Sequence, residues 1–346
     1  MPFWAPDIGI DLGTENVSLY VRGRGVVISE PALVVLDRED RHTVQAVGDE
    51  ASFLLGRSPD RLTPVWPIRN GLVADFDIAE LMLKYFFRKA IGVSYLGKPR
   101  VIVSVPCNLD DVNRKALTEA VRYAGAKHVF LIEKPFAAAI GTGLPVYDPV
   151  GNLVVDIGAG TTDVAVISLG GLVVSQSVQV GGNMFDDALV EYLRKECSIL
   201  VGNQTAENIK KDLATALPLE EDRSILVRGI NQLNTSAGTV SFSSAQAYNA
   251  LKGPCSAIVK AIRWVLERTP PELAADIMRS GIHLTGDASR LFALDRYISE
   301  NVGIPVLLAR DPGDCCILGI GYLTENIQLV SPQNRRADKP AYSHQI

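Results

Sequence analysis

No apolar run in the sequence approaches the ~18–20 residues needed to span a bilayer, and the opening Met1-Pro2-Phe3-Trp4-Ala5-Pro6 has no basic segment leading into an apolar one. A membrane-spanning chain and a secretory leader are therefore not expected, which leaves a soluble or peripheral protein. Long basic runs are also missing and the net charge is −5, so a phosphate-reading surface for nucleic acid is not expected. Cysteine is scarce: Cys107, Cys197, Cys255, Cys315 and Cys316 stand at irregular spacings, with neither a zinc knuckle nor a CxxC pair. Reduced, mostly buried thiols of a cytoplasmic protein are the expectation. His42, His128, His283 and His344 are scattered and show no metal-ligand spacing. The P-loop GxxxxGKS/T and a strand-following GxGxxG are both absent, so neither of those routes to a nucleotide is available.

What is present is a globular composition, 47% hydrophobic and 21% charged over 346 residues, enough for about two domains. Two stretches are alike. Ile8 to Asn16 runs as an apolar strand into Asp11-Leu12-Gly13-Thr14-Glu15-Asn16, followed by apolar runs at Val17 to Arg22 and Gly25 to Ser29. Leu153 to Asp163 runs into Asp156-Ile157-Gly158-Ala159-Gly160-Thr161-Thr162, followed by Val164 to Ser168 and Gly171 to Val180. Each reads as strand, Asp-x-Gly turn, strand, glycine turn, strand, which predicts a duplicated α/β domain. Apolar spacing predicts helices at Ile78 to Ile91, Leu109 to Ala124 (capped by Asn108 or Asp110), from Lys134-Pro135, Phe185 to Cys197, Thr205 to Leu213 and Ser244 to Thr269. Short strands are predicted at Val101 to Pro106 and Ile282 to Gly286. The acidic stretch Glu220-Glu221-Asp222 reads as a solvated loop, and the polar tail after Val330 as disordered.

Gly- and Thr-rich turns present backbone N–H groups and hydroxyls without a blocking Cβ, suited to polyphosphate oxygens. Two such turns can clamp one polyphosphate, and an aspartate at the end of each preceding strand, Asp11 and Asp156, would then face a magnesium ion. One turn alone is more often a plain hairpin; the repetition is what points to a ligand.

These motifs, in this order, resemble the MreB family of bacterial actin homologues that determine rod shape, from about Ile8 to Glu325. Asp11 to Asn16 and Asp156 to Thr162 resemble its two phosphate loops. Ile132-Glu133-Lys134-Pro135 through Val146 resembles its connecting helix, and Gly181 to Ala188 the segment after the second hairpin. Thr205 to Lys210 resembles its nucleoside-contacting helix. Pro270 to Ile277, Thr285-Gly286 and Asp311 to Gly321 follow in order. The resemblance implies an α/β fold of duplicated actin-like (ribonuclease H-like) lobes flanking a nucleotide cleft. Lobe I would span 1–143 with a small insertion at about 33–70. Lobe II would span 144–314 with an insertion at about 183–250, a closing helix at 315–330 would return to lobe I, and 331–346 would be a tail. It implies that Thr14, Glu15 and Asn16, with Gly158, Gly160, Thr161 and Thr162, hold the phosphates of ATP. Asp11 and Asp156 would face Mg2+. Glu207, Asn208, Ile209 and Lys210 would meet the nucleoside, and Gly286, Asp287, Ala288 and Ser289 would pass beneath the adenosine. Glu133, Lys134, Asp156 and Thr162 become the catalytic candidates. The implied partners are further copies of the chain in a filament, the inner face of the cytoplasmic membrane and the cell-wall elongation machinery. Membrane contact falls to Tyr95 and Leu96, with Lys98 and Arg100 near lipid phosphates and Phe3 and Trp4 as a second apolar contact.

Three departures from the family pattern all touch the nucleotide site: Ala159 replaces a glycine, Gly286-Asp287-Ala288-Ser289 replaces Gly-Gly-Gly-Ala, and Glu133-Lys134-Pro135 replaces Glu-Glu-Pro. Slow ATP hydrolysis coupled to filament dynamics is the expectation. The alternatives are a hydrolysis-deficient paralogue that co-assembles with an active filament protein, or a heat-shock-chaperone-like or sugar-kinase-like ATPase of the same superfold.

Overall fold

The apolar runs that precede the two Asp-x-Gly turns, Ile8–Leu12 and Asn152–Ile157, are each the central strand of a five-stranded sheet. The computed structural model describes residues 5–40, 43–55, 61–92, 97–232 and 235–330. Its chain divides into two units, Met1–Val146 with Asp314–Ile346, and Tyr147–Gly313.

The first unit's sheet runs His128–Glu133, Arg100–Val105, Ile8–Leu12, Asn16–Val21, Gly25–Pro31. The second unit's sheet runs Val306–Leu308, Ile282–Thr285, Asn152–Ile157, Thr162–Ser168, Gly171–Val178. In both, the central strand is antiparallel to the strand that follows it in sequence and parallel to its other neighbour. The two sheets thus share one topology. The central strands are buried along nearly their whole length, as expected where helices cover both faces, and their apolar runs read as continuous rather than alternating for that reason. Each unit has its own core, built around Ile8, Leu19 and Phe86 in the first and Leu153, Phe185 and Phe242 in the second.

Each unit also carries a small insertion. In the first, the strands Val34–Asp37, Val44–Val47 and Leu62–Val65 form a sheet that packs with the helix Asp49–Leu55 through Leu33, Val35, Ala46 and Ala51. In the second, Ile199–Leu200, Ser224–Asn231 and Ala237–Ser243 form a three-stranded sheet, with the helix Asn203–Asp212 between the first two in sequence.

The helices begin where the sequence offers caps. Phe76–Ile91 is capped by Asp75, and Asp111–Tyr123 by Asp110, which accepts Asn113 N at 2.7 Å. Asp110 rather than Asn108 is therefore the cap. Ser244–Leu266 opens on a reciprocal Ser243/Gln246 capping box and ends three residues short of Thr269, whose hydroxyl donates back to Val265 O at 2.8 Å. The acidic loop is exposed, and Asp222 accepts Ala245 N at 2.9 Å, an anion at the positive end of that helix.

The helices Lys134–Gly141 and Cys315–Glu325 cross within the first unit at two glycines. A Cβ on Gly141 would collide with Cys315 O, and one on Gly319 with Ala137 O. The second of these helices also lies on the central strand, where a Cβ on Gly9 would meet the Ile320 side chain. Among the described residues no cysteine forms a disulfide, and all but Cys197 are buried.

Tyr95 and Leu96 lie outside the described residues, as do Phe3 and Trp4. Arg100 departs from the expectation that it meets lipid phosphate. Its guanidinium is spent on buried Asp7, with Nε and Nη2 donating at 2.8 and 2.6 Å. Among the described residues no helix is long and apolar enough to cross a membrane.

Candidate functional site

The two Asp-x-Gly turns close in the same way. Gly13 N donates to Asn16 O at 2.9 Å, and Gly158 N donates to Thr161 O at 2.9 Å. The aspartate before each turn meets a hydroxyl from the parallel neighbouring strand. In the first unit Ile10 stands opposite Val103, which sets Asp11 beside Ser104, and Ser104 Oγ donates to Asp11 Oδ1 at 2.6 Å. In the second, Asp156 stands opposite Thr285, whose Oγ1 donates to Asp156 Oδ1 at 2.9 Å. The duplication therefore extends from topology to side-chain chemistry.

In the first unit the turn exposes Glu15 and Asn16 and half-buries Thr14. Lys134 Nζ lies 3.2 Å from Asp11 Oδ1. Burial pushes the Asp11 carboxyl up, but the Lys134 charge and hydrogen bonds from Ser104, Lys134 and Cys316 outweigh it and hold the group below the usual carboxylate range. Glu133, one position earlier, turns to Arg114, whose Nη2 donates at 3.1 Å. Lys134 and Asp11 are thus brought together, while Glu133 is engaged elsewhere.

In the second unit three segments separated in sequence converge on Gly182. A Cβ there would stand 3.5 Å from Lys210 Nζ, 3.6 Å from Ala288 Cβ and 3.7 Å from Ala159 Cα. Gly182 N and Asn183 N, at the start of the helix Gly182–Glu196, donate to the carbonyls of Gly158 and Ala159 at 3.0 and 2.9 Å. In a trans peptide the carbonyl and the next amide point opposite ways. The N–H groups of Ala159 and Gly160 therefore face away from the helix, as an anion-binding turn requires. This anchoring also explains why the helix starts at Gly182, three residues before the predicted Phe185. Ala159 is absent from the residues with positive φ, so its methyl group carries no backbone strain. Gly286, at φ +83, needs its glycine: a Cβ would strike Ile157 O and N.

The remaining sequence candidates divide. Thr162 is fully buried and its Oγ1 donates to Val180 O at 2.7 Å, while Thr161 Oγ1 donates to Asp163 at 3.1 Å. Lys210 Nζ donates to Asp186 Oδ2 at 2.6 Å and to Gly182 O at 3.3 Å. Glu207 turns to Lys211, which with Gln204 draws its carboxyl below the ordinary range against the effect of burial. Asn208 is exposed, but the Ile209 side chain is in the core, 2% exposed, and offers a ligand no surface. Ser289 is buried and donates to Gly286 O. Asp287 is 71% exposed and sits 3.7 Å from Arg290, which offsets the added negative charge.

Sequence reasoning missed Ser104, Arg114 and Asp186. Asp186 is the more informative. It is buried, its carboxyl is pushed up by burial despite Lys210, and its Oδ1 has no hydrogen-bond partner among the described residues. Its i, i+4 spacing from Gly182 at a helix start was the available signal.

In the second unit a polyphosphate fits this chemistry: an amide-bearing turn, an uncrowded glycine and a lysine beside it. A divalent cation at Asp11 does not, because an ammonium already neutralises that carboxylate. Among the described residues no group of three or more His, Cys, Asp or Glu gathers.

Comparison with known proteins gives concordant matches. The profile of the MreB/Mbl protein family matches residues 5–332. The chain is 42% identical over 324 residues to the cell shape-determining protein Mbl of Bacillus subtilis (strain 168), covering 94% of this chain and 97% of that one. It is 44% identical over 328 residues to the cell shape-determining protein MreB of Escherichia coli (strain K12), covering 93% and 94%. The crystal structure of MreB5 of Spiroplasma citri bound to AMPPNP superposes with a TM-score of 0.87 at 34% identity, over 93% of this chain and 97% of that one. The MamK double helical filament shares the fold at a TM-score of 0.76 and 20% identity.

Proposed function

The chain belongs to the MreB/Mbl family of actin-like, cell shape-determining proteins, and from that premise we propose that it binds ATP and polymerises into filaments. These filaments lie on the inner face of the cytoplasmic membrane and organise cell-wall elongation. The observation that carries the nucleotide reading is the repeated unit of turn, aspartate and strand-borne hydroxyl, joined in the second unit by the convergence of Ala159, Lys210 and Ala288 on Gly182. The AMPPNP-bound and ADP-bound structures of Spiroplasma citri MreB5 support it.

ATP, when bound, supplies a polyphosphate whose terminal anhydride bond can be cleaved by water. The chain's own residues divide the work. The amides of Ala159 and Gly160 and the turn at Thr14 to Asn16 hold phosphate oxygens. Lys210, Ala288 and Gly286 bound the nucleoside end. Water attack needs an acceptor for its hydrogen bond, and the connecting helix supplies a poor one: Glu133 is held by Arg114, and Lys134 is a donor only. Hydrolysis is therefore slow. That same observation favours the second reading, a paralogue that co-assembles with a more active filament protein.

The test is light scattering and electron microscopy at micromolar protein with ATP, with phosphate release followed in parallel. Filaments with release well below one turnover per second are expected. A chain that stays monomeric in every nucleotide and salt condition sinks the filament reading, and fast release sinks the slow-hydrolysis reading.

Membrane contact is proposed at Tyr95 and Leu96, which follow the helix Phe76–Ile91, with exposed Lys98 adjacent. Two apolar side chains give marginal affinity alone, and a filament multiplies it through avidity. Co-sedimentation with anionic liposomes is expected to fall by about tenfold in Tyr95→Ser/Leu96→Ser. Unchanged pelleting assigns the contact elsewhere.

A further inference from the structure

Both units pair an aspartate with a hydroxyl at the end of the central strand, but in the first unit an ammonium joins the pair. Lys134 Nζ stands 3.2 Å from Asp11 Oδ1, with side chains only 12% and 18% exposed. Ser104 donates to the same oxygen at 2.6 Å, and Cys316 adds a thiol hydrogen bond to the carboxylate. A magnesium ion takes oxygen ligands at about 2.0–2.1 Å in near-octahedral geometry. Asp11 Oδ1 is already held by a cation and a hydroxyl, so a metal would have to take the other carboxylate oxygen with an ammonium beside it on the same group. Ammonium has no lone pair to offer a metal, and in this half-buried setting salt screens the repulsion between the two cations poorly. The lysine is also fixed at its base. It opens the helix Lys134–Gly141 directly before Pro135, which restrains the backbone there.

An ammonium is a compact charge with three donors. Held on Asp11, two positions before Gly13, its charge stands close to the start of the turn at Gly13 to Asn16 and can attract a phosphate oxygen there. We infer that Lys134 stands in for the divalent cation at the first unit's phosphate turn, so that this chain binds ATP with an affinity nearly independent of magnesium. This rests on the nucleotide reading given above and specifies its counter-ion.

The experiment is equilibrium titration of the full chain with a fluorescent ATP analogue, once in magnesium chloride and once in EDTA, for wild type, Lys134→Arg and Lys134→Glu. The wild-type Kd is expected to differ by less than about threefold between the two conditions, and Lys134→Arg, which keeps the charge, to behave the same. Lys134→Glu, with two carboxylates and no cation, is expected to bind at least about tenfold tighter in magnesium than in EDTA. A wild-type affinity that falls tenfold or more in EDTA overturns the inference and leaves the nucleotide reading standing. Absence of binding in both conditions overturns both. Circular dichroism establishes that Lys134→Glu is folded. If it is not, the wild-type and Lys134→Arg titrations decide the matter alone.

Discussion

Gly319→Ala is expected to destabilise the protein by about 3 kcal/mol, near the top of the range for inserting a methyl group into a packed interior. The added Cβ would collide with Ala137 O, a backbone atom on the helix Lys134–Gly141 that cannot rotate aside. The two helices must then separate, and Cys315–Glu325 also packs on the central strand through Ile320 against Gly9. Gly141→Ala is expected to cost a similar amount for the reciprocal reason, a collision with Cys315 O. The double variant should cost clearly less than the sum, because the first methyl group already opens the gap the second needs. Gly253→Ala is the control. That glycine is in the helix Ser244–Leu266 and, its chain neighbours aside, a Cβ there would have nothing within 4 Å; the gain in helix propensity is offset by crowding against the next residue, Pro254, so alanine should change stability by less than about 1 kcal/mol. Thermal melting of the four variants tests this. A Gly319→Ala melting curve that overlays wild type removes the close crossing.

The second large effect concerns the phosphate turn. Gly181→Ala is expected to weaken binding of a fluorescent ATP analogue by about tenfold or more, since displacing positioned groups by about an ångström is costly. Gly181 has an extended backbone, φ −167, so alanine meets no conformational penalty. The cost is contact alone: the Cβ would press on the carbonyl oxygens of Gly158 and Ala159. Those carbonyls are the acceptors that anchor the turn to the helix Gly182–Glu196, so moving them rotates the amides on the other edge of the same peptides. Gly182→Ala is the comparison, because its Cβ would have its nearest neighbour at 3.5 Å, an ordinary contact, and its affinity should stay within about threefold of wild type. Equal losses in both variants would mean that crowding at the helix start, not the turn carbonyls, controls affinity.

The duplicated α/β pattern was legible in the sequence because it lies in local signals: β-branched runs, Asp-x-Gly turns and a helix cap at Asn108 or Asp110, of which the structure uses Asp110. What was not legible depends on register and on side-chain direction. That Ser104 meets Asp11 follows from Ile10 standing opposite Val103, a pairing across more than ninety residues that no local pattern encodes. That Lys134 turns to Asp11 while Glu133 turns to Arg114 could be anticipated only as two neighbours pointing apart, about 100° around a helix. Ile209 carried the opposite lesson. It sits in a segment resembling a nucleoside-contacting helix, yet that helix is amphipathic and Ile209 is on its core side. The consequence of Ala159 turned on the sign of one φ, which sequence does not specify.

The close crossing at Gly141 and Gly319 joins the two segments that flank Tyr147–Gly313 in sequence. The first unit is interrupted: it gathers Met1–Val146, then waits for Asp314–Ile346, whereas Tyr147–Gly313 is continuous. A nascent chain emerging at about 5–20 residues per second therefore finishes its second half before its first. For on the order of ten seconds the sheet built on Ile8–Leu12 is missing the helix that covers Gly9. During synthesis the face of that sheet at Gly9 is thus left uncovered until Tyr147–Gly313 has been made.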